Sequence, residues 1–128
     1  MKLLFDTHAF IWWDGTPANL SSQVLALCQD PTNTLLLSVA SVWEMQIKLH
    51  LGKLKLSLPL VEIVEGQRRT NSIEILPVML DHVLALDTLP DHHRDPFDRL
   101  LIAQAVVEDA VLISNDSILQ KYPAKLVW

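Results

Sequence analysis

The chain has 128 residues, 50% of them apolar, a formal net charge of −5 and a single cysteine. That length and apolar content predict one ordered domain over residues 1–128 with its own core, and the lone Cys28 excludes an internal disulfide. No apolar run approaches the roughly 18 residues of a membrane span. The acidic balance argues against broad non-specific nucleic-acid binding by a basic surface, so a cytoplasmic protein with no membrane partner is expected.

Short apolar runs alternate with helical patterns, which is the signature of βαβ units and an α/β fold with a parallel sheet. Strands are predicted at about residues 2–5, 34–38, 72–76, 111–114 and 125–127. A first helix follows Asp6. A second is predicted to open at Ser41-Val42-Trp43-Glu44, which has capping-box spacing, and to run through Met45, Ile47, Lys48 and Leu51 until Gly52 stops it. Helices from about Leu60 to Arg69 and from about Leu80 to Leu86 fill the middle. Asp95-Pro96 reads as a cap followed by proline at the first helical position, and it leads into a helix through Ala105. Asp116-Ser117 opens a short terminal helix. Cys28, within the apolar stretch from Val24, reads as a buried structural thiol.

Four acids stand where an expected strand gives way to a helix: Asp6, Glu44, Asp98 and Asp116. Each has a local explanation as a helix cap or a first-turn acid. Together they point further, because strand-to-helix junctions of an open α/β sheet line up along one edge, where ligands bind. Carboxylates gathered there repel one another unless a cation joins them. Asp95 and Asp98 lie three residues apart; Asp98, followed by the core-facing Leu100-Leu101 pair, is the better metal ligand, and Asp95 the cap. An all-oxygen pocket suits Mg²⁺ or Mn²⁺ rather than zinc, and none of His8, His50, His82, His92 and His93 has a partner at zinc-ligand spacing.

Arg94 and Arg99 flank the acids of the late helix, where they are equally suited to contact a substrate or partner and to pair with Asp95 or Asp98. Lys48 stands one turn past Glu44, within reach of a phosphate backbone. Trp12 and Trp13 are adjacent, so both cannot face the core of one helix, and one is expected to meet a partner.

With these residues in place, the chain resembles the PIN-domain ribonucleases, and within them it is most similar to the VapC-type toxins of bacterial toxin–antitoxin pairs. The matching segments are Leu4-Phe5-Asp6-Thr7-His8, Ser38-Val39-Ala40-Ser41-Val42-Trp43-Glu44 with Lys48, His93-Arg94-Asp95-Pro96-Phe97-Asp98-Arg99 with Ala103-Gln104-Ala105, and Leu112-Ile113-Ser114-Asn115-Asp116. The resemblance implies a three-layer domain with a central parallel sheet of about five strands flanked by helices. It implies an endoribonuclease dependent on Mg²⁺ or Mn²⁺, with Asp6, Glu44, Asp98 and Asp116 as catalytic and metal-holding residues. It also implies a homodimer and a small antitoxin whose C-terminal segment enters the active-site groove. In the family a Thr often stands two residues before the last acid; here that residue is Ser114, which keeps the hydroxyl.

Other readings fit less well. A phosphoacceptor receiver domain needs an acid after the central strand, where this chain has Pro77, and a haloacid-dehalogenase-type phosphatase needs a second Asp where this chain has His8. The remaining rival is a catalytically silent or housekeeping interaction domain whose acids only cap helices.

Overall fold

The computed structural model describes residues 1–92 and 95–128. Strands β1 (Lys2–Phe5), β2 (Thr34–Ser38), β3 (Glu74–Leu76), β4 (Val111–Ile113) and β5 (Lys125–Val127) form one sheet in the order β3-β2-β1-β4-β5. Every neighbouring pair is parallel. Helices α1 (Thr7–Gly15), α2 (Ser22–Gln29), α3 (Val39–His50), α4 (Leu60–Asn71), α5 (Leu80–Ala85) and α6 (Pro96–Val107) connect the strands, and a 3-10 turn spans Ser117–Lys121. Among the described residues no helix is long and apolar enough to cross a membrane.

Successive side chains of a strand point to opposite faces of the sheet, so the unbroken apolar runs of β1 and β2 feed two cores at once. Leu3, Phe5, Leu35 and Leu37 pack with Ala9 and Phe10 of α1, Val24 and Cys28 of α2, Met45 of α3 and Ile63 of α4. Leu4, Leu36 and Leu112 face the other way, against Leu101, Ile102 and Ala105 of α6 and against Leu119 and Tyr122. The result is the expected three-layer α/β domain with a five-stranded parallel sheet.

Three local expectations need correction. Helix α3 starts at Val39, not Ser41, because Ser38 at the end of β2 already caps it: its hydroxyl accepts from the Ala40 N–H at 3.0 Å. Ser41 and Glu44 therefore lie inside the helix, and their capping-box spacing serves another purpose. Helix α2, capped by Ser21 accepting from the Val24 N–H, was not anticipated from the apolar stretch around Cys28. Strand β3 is shorter than expected, since Ser72 ends α4 in the left-handed conformation with φ 55° and the ladder begins only at Glu74.

On the face away from the first core, His82 of α5 is fully buried. Its Nδ1 accepts from the Met79 N–H at 2.9 Å, which leaves the proton on Nε2 to be donated to Glu108 at 2.9 Å. His82 is thus a packing and hydrogen-bonding residue that fastens α5 to the end of α6.

Candidate active site

The order of the strands decides where the site lies. Strand β1 has β2 on one side and β4 on the other, so the chain leaves β1 toward one half of the sheet and returns to its other flank only after α6. Crevices form outside the carboxyl ends of strands at such a switch point. The register pairs Phe5 with Ile113, and the Asp6 N–H donates to the Ile113 carbonyl at 3.0 Å. The next residue on each strand, Asp6 and Ser114, therefore stand side by side at the mouth of the crevice.

Asp6 caps α1, its carboxylate accepting from the Ala9 N–H at 2.7 Å, and it also takes a hydrogen bond from the Ser114 side chain. Burial pushes its pKa above the ordinary carboxylate value; these hydrogen bonds and nearby His8 oppose the shift, and the charge of Glu44 adds to it. Ser114 also accepts the Asp116 N–H at 3.1 Å, which links the first acid to the last. Asp116 in turn caps the Ser117–Lys121 turn, accepting from the Ile118 N–H at 3.0 Å.

Glu44 projects from the second turn of α3 and is 4% exposed. Its Oε1 accepts the Thr7 hydroxyl at 2.6 Å, and Thr7 Oγ1 lies 3.1 Å from the hydroxyl of Ser41. Its Oε2 pairs with Lys48 Nζ at 2.7 Å. Thr7, adjacent to Asp6, therefore connects the two buried acids. The Ser41/Glu44 spacing that resembled a capping box instead presents both side chains to Thr7 on a neighbouring helix.

The late helix brings the remaining acids. Asp95 is its cap, as expected, accepting from the Phe97 N–H at 2.9 Å and the Asp98 N–H at 3.3 Å. Asp98 is half-buried in the first turn of α6. This end of α6 meets α3 through an edge-on contact of Phe97 with Trp43, ring centroids 5.2 Å apart. A groove of about 450 Å³ between them is lined by Glu44, Lys48, Lys53, Asp95 and Phe97.

Asp6, Glu44 and Asp116 are thus joined through Thr7 and Ser114, Asp95 shares a groove with Glu44, and Asp98 stands in the first turn of α6. Among the described residues no three His, Cys, Asp or Glu side chains stand close enough together to hold an ion as they are placed. The donor chemistry nevertheless fits a hard divalent cation: carboxylate and hydroxyl oxygens at a strand edge, with Asp6 buried near the charge of Glu44.

The expected contact residues are placed unevenly. Arg94 lies outside the described residues. Arg99 is spent within the fold: its guanidinium donates to the carbonyls of Pro90 at 2.9 Å and Leu86 at 3.4 Å and to the Tyr122 hydroxyl at 3.3 Å. Trp13 stacks near Phe5 and donates its indole N–H to Gln67 at 2.9 Å, while Trp12 packs edge-on against Trp128. Trp43, by contrast, is 61% exposed beside the groove. Thr7 was missed as a site residue, because nothing local in the sequence ties a hydroxyl after Asp6 to an acid on α3.

Comparison with known proteins identifies the family and the fold. The family model described as PIN domain matches residues 3–125. No curated protein sequence matches the chain. Among solved structures, VapBC2 from Rickettsia felis bound to a DNA fragment from their promoter is similar at TM-score 0.75 and 17% identity, covering 99% of this chain and 98% of that one. DNA-bound VapBC from Salmonella typhimurium matches at TM-score 0.71 and 13% identity, covering 99% and 97%. VapBC-5 from Mycobacterium tuberculosis, a member of the VapBC family of toxin-antitoxin systems, matches at TM-score 0.61 and 19% identity, covering 98% and 95%. At these identities the structural likeness speaks for the fold.

Proposed function

We propose that this chain, which belongs to the PIN domain family, is a divalent-metal-dependent endoribonuclease of the VapC toxin type, made up of one PIN domain over residues 1–128. PIN domains are generally nucleases. The observation that carries the reading is Glu44. It caps no helix, yet it is buried near Asp6, whose own pKa is raised by burial and by Glu44's charge. Lys48 offsets the charge of Glu44, yet a protein that needed only helix caps would have no use for a second acid buried near Asp6.

The residues to hold Mg²⁺ or Mn²⁺ are Asp6 and Asp98, with Glu44 and Asp116 completing the shell directly or through water. Bound there, such an ion would supply Lewis acidity to a phosphodiester and to a nearby water. The chain's part is positional. Ser114 and the Ala9 N–H fix the Asp6 carboxylate, Thr7 fixes Glu44, and one of the acids accepts the proton of the attacking water.

The partners follow the same reading. Val39, Trp43, Leu51 and Val61 expose apolar surface on and beside α3, next to acids that would attract a basic side chain, and this suits a small antitoxin segment. Leu80, Val83 and Leu84 of α5, with Val106 and Val107 of α6, leave a second apolar surface that suits a second copy of the chain.

The test is cleavage of defined RNAs by the wild type, Asp98→Asn and Glu44→Gln, each with Mg²⁺, Mn²⁺ or EDTA. The wild type should cleave only with a divalent ion, and each substitution should lower the rate about 100-fold or more. Cleavage that survives both EDTA and Asp98→Asn would remove metal and acids from the chemistry, and a wild type that cleaves with neither ion would favour the silent interaction domain.

A further inference from the structure

Lys48 is the cation that the fold itself supplies to Glu44. Its ammonium lies 2.7 Å from Oε2, while the Thr7 hydroxyl occupies Oε1 at 2.6 Å, so both oxygens of this buried carboxylate are already engaged. A divalent ion taking Oε2 directly would meet the ammonium at the same position, and two cations cannot share it without strong repulsion. The two partners differ in freedom. Glu44 has 6% of its side chain exposed and Lys48 33%, and lysine carries its charge on a flexible four-carbon stem. The lysine is therefore the partner that can move.

The place it can move to is also defined. Lys48 and Lys53 line the groove of about 450 Å³ that Glu44 and Asp95 share, with the Phe97 ring as its apolar wall. The carboxylates of this groove repel a nucleic-acid backbone, and while Lys48 is held against Glu44 its charge is spent there. An ammonium swung outward from Glu44, beside that of Lys53, would give a phosphate a cation there, and the Trp43–Phe97 pair offers aromatic surface for a base.

We propose that Lys48 is an exchangeable counter-ion: it neutralises Glu44 in the metal-free protein, yields that oxygen when a divalent cation binds, and then takes a phosphate of the RNA strand in the groove. The proposal rests on the nuclease reading above. It makes metal loading and RNA binding favour each other, because the ion releases the charge that the substrate uses.

The experiment uses the full chain as wild type, Lys48→Met and Lys48→Arg, with Mn²⁺ affinity measured by titration calorimetry and the salt dependence of KM measured on one RNA. With its competitor removed, Lys48→Met should bind Mn²⁺ about tenfold more tightly. Its plot of log KM against log salt should be shallower by about one phosphate contact. Lys48→Arg, which keeps the charge, should stay near the wild type in both and controls for folding of the site. If the wild type binds Mn²⁺ and cleaves RNA but Lys48→Met shows unchanged or weaker affinity, or an unchanged salt slope, the counter-ion role is overturned and the nuclease reading stands. If the wild type neither binds Mn²⁺ nor cleaves, the nuclease reading falls, and this proposal falls with it.

Discussion

The hydroxyl of Thr7 donates to Oε1 of Glu44 at 2.6 Å, tying the first turn of α1 to the second turn of α3. Thr7→Val keeps the shape of the side chain but strips a buried carboxylate of a donor. The substitution should cost about 1–3 kcal/mol in urea unfolding. RNA cleavage should fall about tenfold or more as Glu44 loses its fixed orientation. Thr7→Ser should recover most of both. Undiminished cleavage by Thr7→Val would show that Glu44 is positioned by other means.

The raised pKa of Asp6 makes a prediction about stability in EDTA. Folded Asp6 keeps its proton to a higher pH than the unfolded chain does, so its contribution is complete below the unfolded value and is lost as pH rises through the folded one. Asp6→Asn escapes that loss and still caps α1. It should therefore be more stable at neutral pH, with a higher Tm, although inactive. The difference should close as pH falls to about 4. Melting curves followed by circular dichroism across that range decide it, and a variant less stable than wild type at neutral pH contradicts it.

Arg99 holds the segment before α6 by donating to Pro90, Leu86 and Tyr122. Lysine keeps the charge but lacks the planar fork that reaches several acceptors at once. Arg99→Lys should lose about 1–2 kcal/mol of stability. Hydrogen exchange should rise in the residues around Leu86 to Asp91. A variant altered in RNA affinity but not in stability would instead assign Arg99 to the substrate.

Cys28 is buried against the first core, and burial pushes its thiol up to about 11. In the folded protein it should resist a thiol reagent at neutral pH, and labelling should speed up in urea in step with unfolding. Rapid labelling without denaturant would mean that α2 opens locally.

Much of the fold was legible because parallel strands covered on both faces appear as short apolar runs, and β1, β2, β4 and β5 lie where those runs lie. The cap at Asp95 and the acids at strand ends were legible for the same local reason. The start of α3 was not, because the Ser41/Glu44 spacing is consistent with either a capping box or a pair turned toward another helix. Only Thr7, distant in sequence, decides between them. The fate of Arg99 was open in the same way, since two of its acceptors are backbone carbonyls, which no residue type advertises, and Tyr122 lies far along the chain.

The central place of β1 also fixes an order of events. Its partner β4 comes from the far end of the sequence, so Asp6 leaves the ribosome long before Ser114 has been made. Until then the nascent sheet lacks two of its five strands, β4 and β5, and Asp6 has no Ser114 beside it. A site laid out this way stays incomplete through most of the chain's own synthesis.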